Sequence, residues 1–342
     1  MDKKFTITFG QQPASYIERE SFSKQIYDDF DLDYPFSHIY IICGVRGSGK
    51  TVLMTNISKK FKSKKDWIVI DVNPNREMLE QIASGIYDNT KSKHLFTQKS
   101  FSFSFHGVGF TLEGKEPVSN IKSILGKMLD RVKKDNKKVL ITIDEASNNT
   151  HMRAFAHDFQ SLLREDYPVF ALMTGLYENV NSLQNNKNLT FLYRTPKIDL
   201  KPLDIKLIIK EYTEYFKESS QEEIKKLADL TKGFAFAYQA VGFLYSKYGN
   251  IKKLLDEYDK YLAIYVYDKL WEYLPEKEKE FLMAFDDNCI KTDDLILKLG
   301  ISKKEYSVYR DRLIKKGIIE GNSRGKLTLI LPRFNVYISK QV

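Results

Sequence analysis

The feature that most constrains this chain is the stretch Gly44-Val45-Arg46-Gly47-Ser48-Gly49-Lys50-Thr51, set between segments of two different periodicities. Before it, His38 to Cys43 is a short β-branched and aromatic run, the composition of a buried strand. After it, Leu53, Ile57 and Phe61 recur at helical spacing. A chain that passes from strand to helix through three glycines can turn its backbone N–H groups inward, where side chains would block them. The helix that follows adds the unpaired donors and partial positive charge of its N-terminus. Such a nest fits a phosphate. Gly44, Val45, Arg46, Gly47, Ser48 and Gly49 are therefore expected to wrap it. Lys50 would reach the β- and γ-phosphates of a nucleoside triphosphate, and the Thr51 hydroxyl would take one position on Mg²⁺.

A second apolar strand, Val139 to Ile143, ends in two acids, Asp144 and Glu145. In a parallel α/β sheet, ligands bind beyond the carboxyl ends of the strands, so these acids are expected beside the glycine loop. The pairing implies ATP with Mg²⁺ as the ligand and hydrolysis as the chemistry. Asp144 would hold the metal through water, and Glu145 would orient and polarise the attacking water.

Around these motifs the pattern alternates. Trp67 to Val72, Val169 to Thr174 and Lys197 to Leu200 read as further strands. Met78 to Tyr87, Val118 to Lys134 and Arg153 to Arg164 read as helices between them. Phe101, Phe103 and Phe105 alternate with serines ahead of Gly107 and Gly109, which suggests a bent strand or hairpin. Alternation of this kind predicts an α/β fold with a parallel sheet covered on both faces. From Leu203 to about Trp271 the chain reads as helices only, with stops near Ser219, Gly233 and Asn250. Three units follow: a nucleotide-binding α/β core over 1–202, an all-helical unit over 203–272, which the resemblance given below makes the lid of an ATPase, and a third module over 273–342.

Composition narrows the class. With 42% hydrophobic and 29% charged residues the chain is globular, not disordered. Two cysteines, Cys43 and Cys289, make neither a disulfide framework nor a metal-ligand spacing. No apolar run approaches the roughly 20 residues of a membrane helix, and no leader segment is apparent, so a soluble, cytoplasmic protein is expected. The net charge of +9 is concentrated at one end. From Lys298 to Val342 there are eleven Lys and Arg against three acids, a local excess of +8.

That end has its own grammar. Ser302 and Glu305 form a capping box that starts a helix near Lys303, and Gly317 stops it. Tyr306, Tyr309 and Leu313 make its inner stripe, with Lys304, Val308, Asp311 and Lys315 opposite. Helices near Glu276 to Phe285 and Asp293 to Leu299 precede it. Ile318 and Ile319, a turn over Gly321 to Gly325, and Leu327 to Leu331 predict a two-stranded wing carrying Arg324 and Lys326. Basic residues on a second helix and a wing suit phosphates of double-stranded DNA, which makes Lys304, Lys315, Arg324 and Lys326 the expected contacts.

Taken together, the motifs resemble the AAA+ class of ATPases, in its archaeal-type and STAND-like branch, over nearly the whole chain. Ser15 to Glu20 is similar to that branch's N-terminal Phe-Val-Gly-Arg-Glu box near the adenine, with Glu18 in place of the glycine. The resemblance implies adenine contacts for Ile17 and Arg19. Thr174 stands at the position of the family's polar first sensor. Arg194 stands where related ATPases carry an arginine that reaches a neighbour's γ-phosphate, which would imply self-association. Lys201 to Leu203 resembles the entry to the lid. Lys232 to Ala237 resembles the lid's Gly-x-Pro motif, but Ala235 replaces the proline and no second-sensor arginine follows Gly233. The three last helices and wing resemble a winged-helix domain. Two readings follow: an ATP-controlled switch whose winged helix binds DNA or a partner, or a STAND-type signalling scaffold whose winged helix makes protein contacts only.

Overall fold

Five apolar segments pair side by side as one parallel sheet: β1 (Ile39–Cys43), β2 (Trp67–Val72), β3 (Lys138–Ile143), β4 (Val169–Gly175) and β5 (Lys197–Asp199). They are seen in a computed structural model that describes residues 4–8, 13–89, 121–186, 189–321 and 325–341. The expected segment around Phe101 to Phe110, and Arg324, lie outside the described residues. Because β1, β3 and β4 are buried along nearly their whole length, they need cover on both faces. One face packs Ile26 and Phe30 of helix Glu20–Asp31 and Leu53, Ile57 and Phe61 of helix Lys50–Lys62. Helices Met78–Asn89, Ile121–Lys134 and Thr150–Arg164 cover the other.

Strand order positions the site. The sheet runs β2-β3-β4-β1-β5, so β4 lies between β1 and β3 although it follows both in sequence. Cys43 is level with Gly175, and Ile143 with Met173, so the three strands end together. The end of β4 therefore lands between the glycine loop after β1 and the acids after β3.

Beyond β5 the chain is helical: Ile205–Tyr215, Gln221–Thr231, Ala235–Tyr248 and Ile251–Leu262. The breaks are capped where the polar residues predict. Asp204 accepts from the Lys206 N–H (2.8 Å), Ser220 from Glu223 (3.2 Å) and Asn250 from Lys253 (3.2 Å). A π-helical turn, Ala263–Tyr267, leads into helix Asp268–Glu272. Helices Glu276–Met283, Thr292–Leu299 and Lys303–Lys315 follow, the last with both halves of its capping box formed.

One expectation needs correcting here. The expected two-stranded wing is instead a three-stranded antiparallel sheet, because β6 (Cys289–Lys291) pairs with β8 (Lys326–Leu329), which also pairs with β7 (Ile319–Glu320). A final short helix, Phe334–Ile338, buries Phe334, Tyr337 and Ile338. Residues 203–338 share one buried apolar cluster, joined from the amino-terminal end by Phe5 and Ile17. Phe5 meets the rings of Tyr212, Tyr215, Phe216 and Tyr238 at centroid distances of 5.1–5.7 Å. Among the described residues no helix is long and apolar enough to cross a membrane.

Candidate functional site

The glycine loop owes its shape to two left-handed residues, Gly47 (φ 78°) and Gly49 (φ 93°). Gly49 caps the helix that begins at Lys50. The Lys50 ammonium is drawn inside the loop, donating to the carbonyls of Gly44 (3.1 Å) and Val45 (3.0 Å). Burial pushes its pKa down to about 8, against the opposing pull of Asp144 and Glu145. The Ser48 hydroxyl is buried and has no hydrogen-bond partner among the described residues. Arg46 is exposed and donates from Nε to the Tyr265 carbonyl (3.3 Å).

At the neighbouring strand ends, three side chains converge. The Thr51 hydroxyl donates to Asp144 at 2.9 Å (Oδ2) and 3.2 Å (Oδ1). The Thr174 hydroxyl, fully buried at the end of β4, donates to Asp144 Oδ1 and accepts from the Glu145 N–H (3.1 Å). Glu145 adopts a left-handed conformation (φ 56°). It is exposed, on the wall of an open cleft of about 700 Å³ shared with Asp71, Asn73 and Lys62. The structure thus brings Lys50, Thr51, Asp144, Glu145 and Thr174 together.

The flanks of the loop come from far away in sequence. Arg19 donates to the carbonyls of Lys201 (2.6 Å) and Ser48 (3.2 Å), tying the amino-terminal segment to the loop and to the start of the helical region. Burial lowers its pKa. Ile17 is buried in the cluster that contains Leu203, Phe234 and Phe236. Three residues that the sequence did not mark as loop partners touch it directly. The Phe236 N–H donates to the Gly47 carbonyl (3.0 Å). A Cβ on Gly47 would come within 3.0 Å of Phe234, and one on Gly49 within 3.2 Å of the Ala235 methyl. Arg194 is not brought to this site: it is exposed at the end of helix Thr190–Tyr193, and its guanidinium makes no hydrogen bond or ion pair among the described residues.

The chain just after helix Lys303–Lys315 meets the loop as well. Gly317 is left-handed (φ 68°), and a Cβ there would lie 2.7 Å from Val45 Cγ1 and 3.3 Å from the Tyr177 ring. Beside it Lys316 pairs with Glu278 (2.7 Å), a nearly fully buried acid, and with Glu178 (3.7 Å). Of the eleven basic residues of this end, Lys298, Arg310, Arg312, Lys316 and Arg333 are engaged in ion pairs. Lys304, Lys315 and Lys326 are exposed and make no ion pair among the described residues.

The donor set fits a magnesium–nucleotide complex. Glycines that leave no room for a Cβ line the loop, and a buried hydroxyl there lacks a partner among the described residues. The metal side offers a hydroxyl and one carboxylate, hard oxygen donors. Mg²⁺ is commonly held this way, by one or two carboxylates with water and phosphate completing the shell. Among the described residues no group of three or more His, Cys, Asp or Glu gathers to hold a metal by protein ligands alone.

Residues 265–338 match a family described as a domain of unknown function (DUF8462). No curated protein matches the chain. Solved structures do. A Walker-type ATPase of Pyrococcus abyssi is similar at 14% identity and a TM-score of 0.66, over 95% of this chain and 97% of that one. The ORC2 protein of Aeropyrum pernix, in ADPNP and ADP complexes, is similar at 15% identity and a TM-score of 0.61, over 98% and 96%. Cdc6p of Pyrobaculum aerophilum gives 16% identity and a TM-score of 0.51, over 98% and 96%. At such identities the likeness is one of fold. In its parallel sheet, its glycine loop and the full-length match to these structures, the chain has the fold of the P-loop, AAA+-like ATPases.

Proposed function

We propose that this chain binds and hydrolyses ATP with Mg²⁺, and that its nucleotide state controls what its carboxyl-terminal module binds. The hydroxyl–carboxylate cluster of Thr51, Asp144 and Thr174 beside Lys50 carries this reading. Residues 1–202 form the ATPase core, 203–272 the lid and 273–342 a winged-helix module. Gly44 to Gly49 hold the phosphates, Thr51 and Asp144 hold the metal, and Ile17 and Arg19 border the base. When bound, the metal supplies charge neutralisation on the phosphates. Lys50 stabilises the charge that develops on them, Thr174 fixes the Asp144 carboxylate, and Glu145 polarises water from the open cleft. Arg194 would act on a neighbouring copy, since its exposure leaves it available to one.

Lys50 gives the reading a pH signature. Its pKa is about 8 without nucleotide, and a bound polyphosphate favours the charged form. Proton binding is therefore linked to nucleotide binding above pH 8. Affinity falls as pH rises, by up to about tenfold per unit until the bound-state pKa is reached. Calorimetry at pH 9 in two buffers of different ionisation heat should show proton uptake on ATP binding. No uptake would show that Lys50 is already charged in the free protein or does not meet the phosphates.

For the carboxyl-terminal module we propose duplex DNA as the ligand, contacted by Lys304, Lys315, Lys326 and Arg324. Each phosphate contact adds about 0.9 to the slope of log affinity against log salt, so neutralising Lys304, Lys315 and Lys326 together should reduce that slope by roughly 2–3. A retention assay over a salt series measures it, and an unchanged slope would exclude these residues as the contacts. The second reading, a scaffold with protein contacts only, draws support from the five basic residues already engaged within the molecule. It expects no duplex binding at physiological salt.

A further inference from the structure

Five residues of the helical region, Lys232 to Phe236, touch three other parts of the molecule. At one end, the Phe236 N–H donates to the Gly47 carbonyl of the glycine loop, and Phe234 and Ala235 abut Gly47 and Gly49. In the middle, the Leu203 N–H donates to the Gly233 carbonyl (2.7 Å), and a Cβ on Gly233 would come within 2.5 Å of the Leu203 carbonyl. At the other end, the Lys232 ammonium donates to the carbonyls of Leu329 (2.9 Å) and Leu331 (3.3 Å) and to Asn288 Oδ1 (3.2 Å). Those acceptors belong to β8, the segment after it and the loop before β6.

The backbone here is not what a lysine prefers. Lys232 is left-handed (φ 45°) and is followed by left-handed Gly233 (φ 74°), a helix ending at which glycine or asparagine would sit more easily. The conformation aims a half-buried ammonium at three acceptors of the carboxyl-terminal sheet, and it holds Phe234 to Phe236 against the loop. A phosphate seated in the loop draws on the peptide groups around Gly47, one of whose carbonyls the turn already holds. Any displacement of that carbonyl is passed through Phe236 to a turn that Leu203 and Gly233 keep rigid.

We propose that Lys232 is the positioning residue through which occupancy of the glycine loop is passed to the carboxyl-terminal sheet. The cation of this turn faces that sheet and not the loop. The proposal rests on the reading of the loop as an ATP site and adds the route by which that site is read out.

Hydrogen exchange on the full chain, with and without a non-hydrolysable ATP analogue and Mg²⁺, tests it. In the parent, analogue binding should change exchange at amides of residues 326–338. Couplings between sites are commonly worth about 5- to 150-fold, and a change of about tenfold is expected. In Lys232→Met the analogue should still bind within about threefold of the parent, yet the change at 326–338 should disappear. Lys232→Arg, which keeps a cation and donors, should restore much of it. Asn288→Ala, which removes one acceptor and leaves the turn intact, should lower it and serves should Lys232→Met fail to fold. A parent that binds the analogue with no change at 326–338 overturns the route while leaving the ATP site standing. So does a full change in Lys232→Met or Asn288→Ala. A parent that does not bind the analogue overturns the ATP reading itself, and the route with it.

Discussion

Glu145→Gln should leave ATP binding near the parental level while lowering turnover by about 10²-fold or more. That is the usual contribution of a positioned general base. The substitution keeps the size of the side chain and removes its charge and its ability to take a proton. Glu145 is exposed on the open cleft, and its N–H, not its side chain, bonds Thr174. The geometry of Asp144, Thr51 and Thr174 should therefore survive. Phosphate release under saturating ATP, beside equilibrium binding of a labelled analogue, separates the two effects. Parental turnover in Glu145→Gln would assign the base to another residue.

Lys50→Ala should weaken ATP binding by roughly tenfold to a hundredfold, because a charge-assisted hydrogen bond worth about 1.5–3 kcal/mol is lost. The protein itself should tolerate the change. The ammonium is held below its usual pKa by burial, and its partners in the loop are two backbone carbonyls. Thermal unfolding without nucleotide controls for a folding defect. Equal affinity in parent and variant would place the phosphates elsewhere.

Much of this site can be read from short stretches of sequence. The glycine loop, the acids after β3 and Thr174, next to last in β4, each sit at the end of an apolar run, and a parallel sheet gathers such ends on one edge. What the sequence could not supply is who packs against that edge. Phe236 meets Gly47, Gly317 meets Val45, and Lys232 reaches Leu329 across separations that no local pattern encodes. Helix Glu20–Asp31 did carry a signal, Phe22, Ile26 and Phe30 at four-residue spacing, within a segment dense in aspartate. Strand β6 carried none. Its three residues, Cys289, Ile290 and Lys291, are too few to show alternation, and only pairing with β8 defines them.

The charge excess was legible as a count but not as a surface. Glu278 looks like one acid in an exposed helical repeat, yet it is buried and binds Lys316, with Arg312 at 4.0 Å. Ion pairing within the fold thus removes part of the basic surface that the count implies, while Lys304, Lys315 and Lys326 remain exposed.

The central claim is that the loop from Gly44 to Thr51, with Asp144, holds ATP through Mg²⁺. Titration of the purified chain with ATP, with Mg²⁺ present and then chelated, tests it most directly, with Asp144→Ala run in parallel. The account predicts saturable binding to one site that Mg²⁺ tightens, and loss of that Mg²⁺ dependence in Asp144→Ala. Absence of saturable binding, or binding equally strong with and without Mg²⁺ in both proteins, would contradict it.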